Sequence, residues 1–157
     1  MNSNRQNGLA IGDDAPGFSL PNADTQMVTL SDVLRERGGL LAFVHGTWCP
    51  VCVQALYRLR QYAHIYHDEG FGVAVVTREQ PGALHVFKRS AQPPVNFPLL
   101  ADEPGTVREL YRLAQTGAFF VIDENQVVRE TLLDVAHQGW PGHSRILTVM
   151  KRLRAVP

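Results

Sequence analysis

The most reactive side chains of this sequence lie together in one short motif, Trp48-Cys49-Pro50-Val51-Cys52. Cys49 and Cys52 are the only two cysteines of the chain. A disulfide between them would close a loop too short to restrict the unfolded chain much, so the pair is not the framework of a disulfide-stabilised fold. Two close thiols can instead exchange with disulfides, react with peroxides or bind a metal ion.

The position of the motif predicts its chemistry. An apolar run over residues 40–44, typical of a strand buried on both faces, precedes it, and a helical pattern over residues 49–68 follows it. Pro50 suits the first position of that helix, which places Cys49 at the N-terminus among unpaired amide groups. These amides and the helix dipole favour the thiolate of Cys49 and make it nucleophilic. Cys52 lies one helical turn later and can resolve a mixed disulfide formed on Cys49.

A metal site and a pair of structural cysteines are the alternative interpretations. Zinc needs three or four protein ligands, and the sequence has no second Cys-x-x-Cys pair. His64 and His67 belong to the same predicted helix, but they lie about three to four turns beyond Cys52, too far to share an ion. The junction between a buried strand and a helix favours a redox-active dithiol, which needs no metal and no organic cofactor.

Strand and helix patterns alternate along the rest of the chain. Residues 18–20 and 27–30 flank a turn-rich segment and predict a hairpin, and Ser31-Asp32 suits the start of a short helix that ends at Gly38-Gly39. The pattern further predicts strands over residues 71–77, 97–100, 118–122 and 127–132 and helices over residues 81–90, 107–113 and 144–153. The sequence therefore predicts an α/β fold with a mixed central sheet whose last strands are antiparallel. A wholly parallel, doubly wound sheet is the alternative, which the tight link at residues 123–126 disfavours.

Size and charge exclude several classes of protein. The chain has 157 residues, of which 45% are hydrophobic, and 15 basic side chains balance 15 acidic ones. This composition predicts one globular domain over residues 12–157, after a loose segment over residues 1–11. The balanced charge predicts no nucleic-acid or membrane partner. The polar start of the chain, without the apolar core of a signal peptide, predicts a cytoplasmic protein.

Three segments resemble one known superfamily. Residues 12–20 resemble the opening of the peroxiredoxin-like proteins, the alkyl hydroperoxide reductase/thiol-specific antioxidant superfamily. Residues 43–52 resemble a peroxiredoxin-like subgroup with a Trp-Cys-Pro-x-Cys site and also the thioredoxin-like thiol–disulfide oxidoreductases of cytochrome maturation. Residues 119–123 resemble a later strand of the family and its turn. The resemblance implies a thioredoxin-like fold with an extra N-terminal β-hairpin.

Several positions differ from the pattern of that superfamily. Where the resemblance places the threonine, proline and arginine that bind a peroxide, this chain has Gly46, Ala42 and Gly117. Gly117 also stands about where thioredoxin-like reductases have a cis-proline, and a glycine there lets the backbone of a partner approach closely. Phe43 replaces the buried acid that carries protons for the second cysteine of thioredoxins. His45, at the predicted strand end, is then the nearest side chain whose ordinary pKa suits proton transfer.

The sequence therefore predicts a thiol–disulfide oxidoreductase in which Cys49 attacks and Cys52 resolves. A peroxiredoxin-type peroxidase and a non-enzymatic redox sensor are the alternatives. The expected partners are protein or small-molecule disulfides or peroxides and a thiol electron donor. His45 is predicted to move protons or, alternatively, only to pack on Trp48, and residues 137–143 are predicted to cover the sheet edge or to dock a partner. The residues predicted to support the site are Trp48, Pro50, Thr47 and Gly117.

Overall fold

The computed structural model of the protein describes residues 8–113, 117–133 and 142–155. Strands and helices alternate along these residues, in the order β1 (Ser19–Pro21), β2 (Met27–Thr29), α1 (Leu30–Val33), β3 (Gly38–Phe43), α2 (Pro50–Asp68), β4 (Phe71–Thr77), α3 (Pro81–Ser90), β5 (Leu99–Ala101), α4 (Thr106–Leu110), β6 (Ala118–Asp123), β7 (Val128–Leu133) and α5 (His143–Ala155). The N-terminal hairpin, the long helix after the cysteine motif and the final helix lie where the sequence predicts them.

The central sheet is mixed and has the strand order β5-β4-β3-β6-β7. β3 pairs in parallel with β4, and β4 pairs in parallel with β5. On its other side β3 pairs antiparallel with β6, which pairs antiparallel with β7. β1 and β2 form a separate antiparallel hairpin. The predicted thioredoxin-like fold with an extra hairpin is confirmed, and the wholly parallel alternative is wrong because β6 runs against β3.

Alternate side chains of β3 enter two different hydrophobic cores, as expected for a strand that is covered on both faces. Leu40 and Ala42 face the core that contains the buried side of α2 and of α5. Leu41 and Phe43 face the second core, which α1 and α4 cover. The buried side chains of α2 follow the three- and four-residue spacing of an amphipathic helix, and they are Cys52, Ala55, Leu56, Leu59, Ala63 and Tyr66. Cys52 is therefore part of the first core.

The first helix is shorter than predicted, and its N-cap lies two residues before Ser31, the first of the predicted capping residues. Thr29, rather than Ser31 or Asp32, caps α1, because its side chain accepts the backbone N–H of Asp32 while Asp32 accepts the N–H of Thr29. Gly38-Gly39 does not end a helix but begins β3. Gly38 has a φ of 139°, and a Cβ there would clash with the carbonyl oxygen of Ile122 on β6, so a glycine lets the two strands approach.

Gly8 and Leu9, within the segment predicted to be loose, are attached to the rest of the fold. The side chain of Leu9 is buried in the second core, since only 4% of it is exposed. The hydroxyl of Thr131 on β7 donates to the carbonyl oxygen of Leu9 at 2.7 Å, and Gly8 donates to the carbonyl oxygen of Arg112 at 2.9 Å. The buried side chain of Leu9 and these two hydrogen bonds correct the prediction for residues 8 and 9, while residues 1–7 lie outside the described ranges.

Candidate active site

The cysteine motif occupies the junction between β3 and α2. Cys49 is the N-cap residue, with extended backbone angles, and Pro50 is the first residue of the helix. The carbonyl oxygen of Cys49 accepts the first helical hydrogen bond, from Val53 at 2.9 Å. Proline suits this position because its fixed φ matches a helix and the missing N–H would have no partner there. The predicted geometry of the helix start is thus present, with a thiol where an N-cap side chain usually lies.

Cys49 is the half-buried thiol of the pair. Its burial favours the neutral thiol, but the backbone N–H of Cys52, the Cys52 thiol and the backbone N–H of Val51 all bond to its sulfur, and together they lower the pKa of Cys49 below its ordinary value. These amides belong to the first turn of α2, whose positive dipole end favours an anion. Cys49 therefore has the larger tendency to form a thiolate at neutral pH.

Cys52 is the buried thiol, with 0% of its surface exposed. Burial raises the pKa of Cys52, and its interaction with Cys49 adds to that increase. The backbone groups of Gly46 and His45 bond to the sulfur and act in the opposite direction without overcoming burial. Both cysteines are free thiols in the structure. The two sulfur atoms thus differ in the way that exchange chemistry needs: an accessible nucleophile and an enclosed resolving thiol.

The loop between β3 and Cys49 is held by a carboxylate that the sequence does not point out. Glu79 follows the end of β4, and its two oxygens accept the backbone N–H of Thr47 at 2.6 Å and the Thr47 hydroxyl at 2.8 Å. The backbone N–H of Glu79 in turn donates to the hydroxyl of Thr77, a fully buried residue at the end of β4. Thr47, predicted as a supporting residue, is therefore the point where the loop is attached to the sheet.

Trp48 and Gly46 fit each other within this loop. The Trp48 side chain is 72% exposed, which makes it the most exposed large apolar side chain of the described residues. One edge of its indole lies over Gly46, where a Cβ atom would clash with Nε1 of the ring and come within 2.7 Å of its Cδ1. That Cβ would also lie 3.1 Å from the carboxyl carbon of Glu79. A side chain at position 46, such as the threonine of typical peroxiredoxins, would therefore displace Trp48.

His45 and Gly117 lie at the same edge of the sheet as the motif. His45 is half-buried, its carbonyl oxygen accepts the N–H of Arg78 at 3.4 Å, and its backbone bonds to the sulfur of Cys52. Gly117 is buried and comes just before Ala118, which is opposite Phe43 in the ladder between β6 and β3. The backbone of His45 thus belongs to the site, while proton transfer by its ring stays a prediction.

Two further charged side chains at this edge were not indicated by any motif. Asp102 follows β5, and its oxygens accept the backbone N–H groups of Val107 and Arg108 at 3.2 and 2.9 Å. The guanidinium of Arg108 donates to the carbonyl oxygen of Val44 at 2.7 Å. The sequence does carry one signal for the two carboxylates, Glu79 and Asp102. Both follow buried strands, and the carboxyl ends of parallel strands meet at one edge of the sheet.

The described residues offer neither a metal site nor a membrane span. Within residues 8–113, 117–133 and 142–155, no three His, Cys, Asp or Glu side chains come close enough together to hold a metal ion. No helix in that part of the chain is both long and apolar enough to cross a bilayer. Most of the predicted loop over residues 137–143 lies outside the described residues, so its role stays a prediction.

Comparison with known proteins places this site in a family. The model of the AhpC/TSA family matches residues 11–131. The thiol-disulfide oxidoreductase ResA of Bacillus subtilis is 34% identical over 123 residues, which are 77% of this chain and 66% of that protein. Peroxiredoxin Bcp of Escherichia coli is 32% identical over 105 residues, 67% of this chain and 65% of that protein. The chain thus spans about two thirds of the length of these curated relatives.

Solved structures show the same fold. A candidate thiol:disulfide interchange protein DsbE from Chlorobium tepidum superposes with a TM-score of 0.72 at 28% identity and covers 93% of this chain and 99% of that one. Peroxidoxin BcpB from Mycobacterium tuberculosis superposes with a TM-score of 0.79 at 19% identity, over 95% of this chain and 99% of that one. The identity to the second structure supports the fold alone. Relatives that exchange disulfides and relatives named as peroxiredoxins thus share this architecture.

Proposed function

The chain belongs to the AhpC/TSA family and is an oxidoreductase, and we propose that it exchanges thiols with disulfides through Cys49 and Cys52. One observation carries the proposal: Cys49 is a half-buried thiol at the N-cap of α2, and Cys52 is a fully buried thiol one turn later. The amides of the helix start lower the pKa of Cys49, whereas burial raises the pKa of Cys52. A nucleophile needs thiolate at neutral pH, whereas a resolving thiol is protected from outside reactants by burial.

The reaction transfers two electrons from the dithiol to the substrate. The Cys49 thiolate attacks one sulfur of the substrate disulfide, the substrate S–S bond breaks, and the leaving thiolate takes a proton from solvent. Cys52 then loses its proton, and its thiolate attacks the sulfur of Cys49 in the mixed disulfide. The second substrate thiol leaves, and the chain keeps a Cys49–Cys52 disulfide. A thiol electron donor reverses these steps and restores the dithiol.

The residues around the dithiol have distinct proposed roles. Trp48 offers an exposed apolar surface beside Cys49 against which a partner can pack. Thr47, held by Glu79, fixes the loop that carries Cys49. Pro50 starts the helix whose amides bond to the Cys49 sulfur, and buried Gly117 lines the adjoining strand end. His45 is proposed to accept the proton of Cys52, since its backbone already lies against that sulfur.

Peroxide reduction is the second candidate, favoured by the peroxiredoxins among the relatives. The structure supports it less well. The position that holds a peroxide-binding threonine in typical peroxiredoxins is Gly46, and the indole of Trp48 fills the space that its side chain would need. The position of the arginine is Gly117, which is buried without a side chain. At these two positions the chain thus has no side chain that could polarise the O–O bond of a peroxide.

A paired assay on the reduced protein separates the candidates. The protein is mixed by stopped flow with an aromatic disulfide, dithiobis(nitrobenzoate), or with hydrogen peroxide, and thiol release and tryptophan fluorescence are followed. We expect rapid oxidation by the disulfide and, with peroxide, a rate constant near that of a free thiolate. A peroxide rate constant far above that value would replace the proposal by the peroxidase. If both reactions are slow and oxidation changes the binding of another protein, the redox sensor is the better description.

Single-cysteine variants test the assignment of the two thiols. Cys52→Ser is expected to accumulate a mixed disulfide through Cys49, detected by mass spectrometry, whereas Cys49→Ser is expected to react slowly because Cys52 is buried. The rate of Cys49 alkylation should rise with pH around a midpoint below about 8.5, the ordinary value of a cysteine, because only the thiolate reacts. An unshifted midpoint, or a faster reaction of Cys52, contradicts the assignment.

Partners and location are proposed at a coarser level. The substrates are proposed to be protein or small-molecule disulfides, and the electron donor a thiol, because the curated relatives are thiol–disulfide oxidoreductases and peroxiredoxins. The cytoplasmic location stays a proposal, and fractionation of cells with an antibody against the chain tests it.

A further inference from the structure

A buried cation lies under the end of the strand that leads into the cysteine motif. Arg108, on the short helix α4, has only 2% of its surface exposed. Its Nη2 donates to the carbonyl oxygen of Val44 at 2.7 Å, and its guanidinium carbon lies 5.8 Å from the centre of the Phe43 ring. A guanidinium stays charged under all physiological conditions, so this is a fixed positive charge inside the protein.

The sulfur of Cys52 reaches the same strand end from the other core. Cys52 packs in the core that contains Val44, whereas Phe43 belongs to the second core, which α4 covers. The Cys52 sulfur accepts hydrogen bonds from the backbone of His45 and Gly46, the residues that directly follow Val44. The guanidinium and the sulfur are thus both attached to the backbone of residues 44–46.

The electrostatic interaction between Arg108 and Cys52 affects the pKa of the arginine. Burial lowers the pKa of the Arg108 guanidinium, and the nearby charge of Arg78 lowers it further, whereas Asp102 and the Cys52 thiolate raise it. Coulomb interactions are mutual, so a guanidinium bonded to Val44, next to the backbone groups that bond to the Cys52 sulfur, also favours the Cys52 thiolate. Burial, the backbone bonds from Gly46 and His45 and the interaction with Cys49 are the larger influences on that thiol. Since both groups are buried, solvent ions screen this interaction far less than they screen charges at the surface.

We infer that Arg108 is a positioning residue for the second half of the exchange reaction, in which its charge stabilises the Cys52 thiolate that attacks the mixed disulfide on Cys49. The inference rests on the proposed function, since it concerns the resolving step of that reaction. The proton of Cys52 leaves to solvent or to His45, and Arg108 itself neither gains nor loses a proton.

Other charged and titratable groups lie at this edge of the sheet. Cys49 and His45 lie in the loop between β3 and α2. Arg78 and Glu79 follow β4, and Asp102 follows β5. Arg78 is exposed and therefore screened, and both oxygens of Glu79 are bonded to Thr47. Asp102 is buried and opposes the charge of Arg108. Removal of the Asp102 charge and removal of the Arg108 charge should therefore have opposite effects on Cys52.

The two coloured thiols released from dithiobis(nitrobenzoate) report the two halves of the reaction separately. The first release follows attack by Cys49 and tests the proposed function, and the second follows attack by Cys52 and tests the role of Arg108. We expect Arg108→Met to shift the pH midpoint of the second release upward by about one unit. At neutral pH this reduces the thiolate fraction about tenfold, while the more basic thiolate is intrinsically about threefold more nucleophilic, so the net rate falls about threefold.

The opposite effects of Arg108→Met on the thiolate fraction and on the nucleophilicity of Cys52 predict a pH dependence that structural damage does not produce. Above its pH midpoint, where Cys52 is fully ionised, the second release of Arg108→Met should be about threefold faster than that of the unaltered protein. Arg108→Lys keeps the positive charge and should keep most of the original profile. Asp102→Asn removes a negative charge and should therefore shift the pH midpoint of the second release downward.

The outcomes separate the two levels of the proposal. If the unaltered protein gives no rapid first release, the proposed function fails. If the first release is rapid but the pH midpoint of the second stays the same in Arg108→Met, or in Arg108→Gln where the former does not fold, only the role of Arg108 is overturned. A uniform slowing at every pH would show that Arg108 merely supports the fold.

Discussion

Two carboxylates at the same edge of the sheet perform similar tasks in different surroundings. Glu79 follows β4 and accepts two hydrogen bonds from Thr47, in the loop before Cys49. Asp102 follows β5 and accepts two backbone hydrogen bonds from the start of α4. Glu79 is half-buried, whereas Asp102 is 1% exposed. One carboxylate organises a loop that faces solvent, and the other organises a helix that carries the buried Arg108.

This difference in burial separates a residue of the site from a residue of the fold. A donor that loses its acceptor in the interior keeps the full cost of desolvation, because water cannot replace the acceptor. A donor in a half-exposed loop binds water instead, so little stability is lost, but the loop is no longer held in one geometry. We therefore expect loss of Asp102 to act mainly on stability and loss of Glu79 mainly on the rate of exchange.

Asp102→Ala should have the largest effect. It leaves the buried N–H groups of Val107 and Arg108 without their acceptor and removes an opposite charge that faces the Arg108 guanidinium. We expect a loss of about 3 kcal/mol in the free energy of unfolding, from the cost of unsatisfied buried donors. Denaturant unfolding of the reduced protein measures it. Asp102→Asn keeps one acceptor oxygen and should lose less, and a loss below about 1 kcal/mol for Asp102→Ala would remove the contrast with Glu79.

Glu79→Ala should slow thiol release from dithiobis(nitrobenzoate) about tenfold, because Cys49 is then presented by an unrestrained loop. The free energy of unfolding should change by only about 1 kcal/mol or less. The matched control is Glu103→Ala, which removes an exposed carboxylate at the same edge and should alter neither quantity. If Glu79→Ala lowers stability as much as Asp102→Ala and leaves the rate unchanged, the two carboxylates do not differ as described.

Local sequence patterns predict the dithiol and its helix well, but they do not predict these carboxylates. Cys49, Pro50 and Cys52 belong to one turn of chain, so their spacing determines how they lie relative to the helix N-terminus. Glu79 meets Thr47 only because β4 pairs in parallel with β3, a contact between residues 32 positions apart in the sequence. Parallel pairing brings strand ends together, but which side chain then bonds to which loop depends on the conformation of both loops.

Arg108 and α1 show two other limits of sequence patterns. α4 covers only Thr106–Leu110, too short for helical periodicity to distinguish its buried from its exposed face, and arginine is a residue type that is usually exposed. In α1, Thr29, Ser31 and Asp32 are all capping residue types, and the end of the hairpin decides which of them starts the helix. The fold class follows from the order of elements, whereas these details follow from tertiary contacts.

A third carboxylate, Asp123, extends the comparison to the opposite edge of the sheet, since it is opposite Gly38 at the start of β3. Burial would raise the pKa of Asp123, but hydrogen bonds from the N–H of Val127, from Arg129 and from the N–H of Asn125 lower it below the ordinary value. The unfolded chain then binds the proton more tightly than the folded one. The stability from Asp123 is therefore complete above the unfolded pKa and is lost as the pH falls through the folded pKa.

Asp123→Asn should accordingly lower the free energy of unfolding by about 1 kcal/mol at neutral pH and leave exchange unaffected, because the residue is remote from the dithiol. The difference from the unaltered protein should shrink as the pH falls below about 4. Denaturant unfolding at several pH values checks this, with Glu124→Gln, an exposed carboxylate of the same turn, as the control. A difference that is constant with pH would assign the effect to shape rather than to charge.

Thr47→Val should have the smallest effect on the rate of exchange. It tests separately one of the two hydrogen bonds that Glu79 accepts from Thr47. The variant loses the hydroxyl that donates to Oε2 of Glu79 but keeps the backbone N–H that donates to Oε1. We expect exchange to slow about threefold, roughly half of the Glu79→Ala effect in free energy, and Thr47→Ser to retain the original rate. In the Glu79→Ala background, Thr47→Val should have no further effect, because the hydroxyl has already lost its acceptor. An additive loss in the double variant would mean that Thr47 acts on Cys49 by a route other than Glu79, and the carboxylate would then not be what holds the loop.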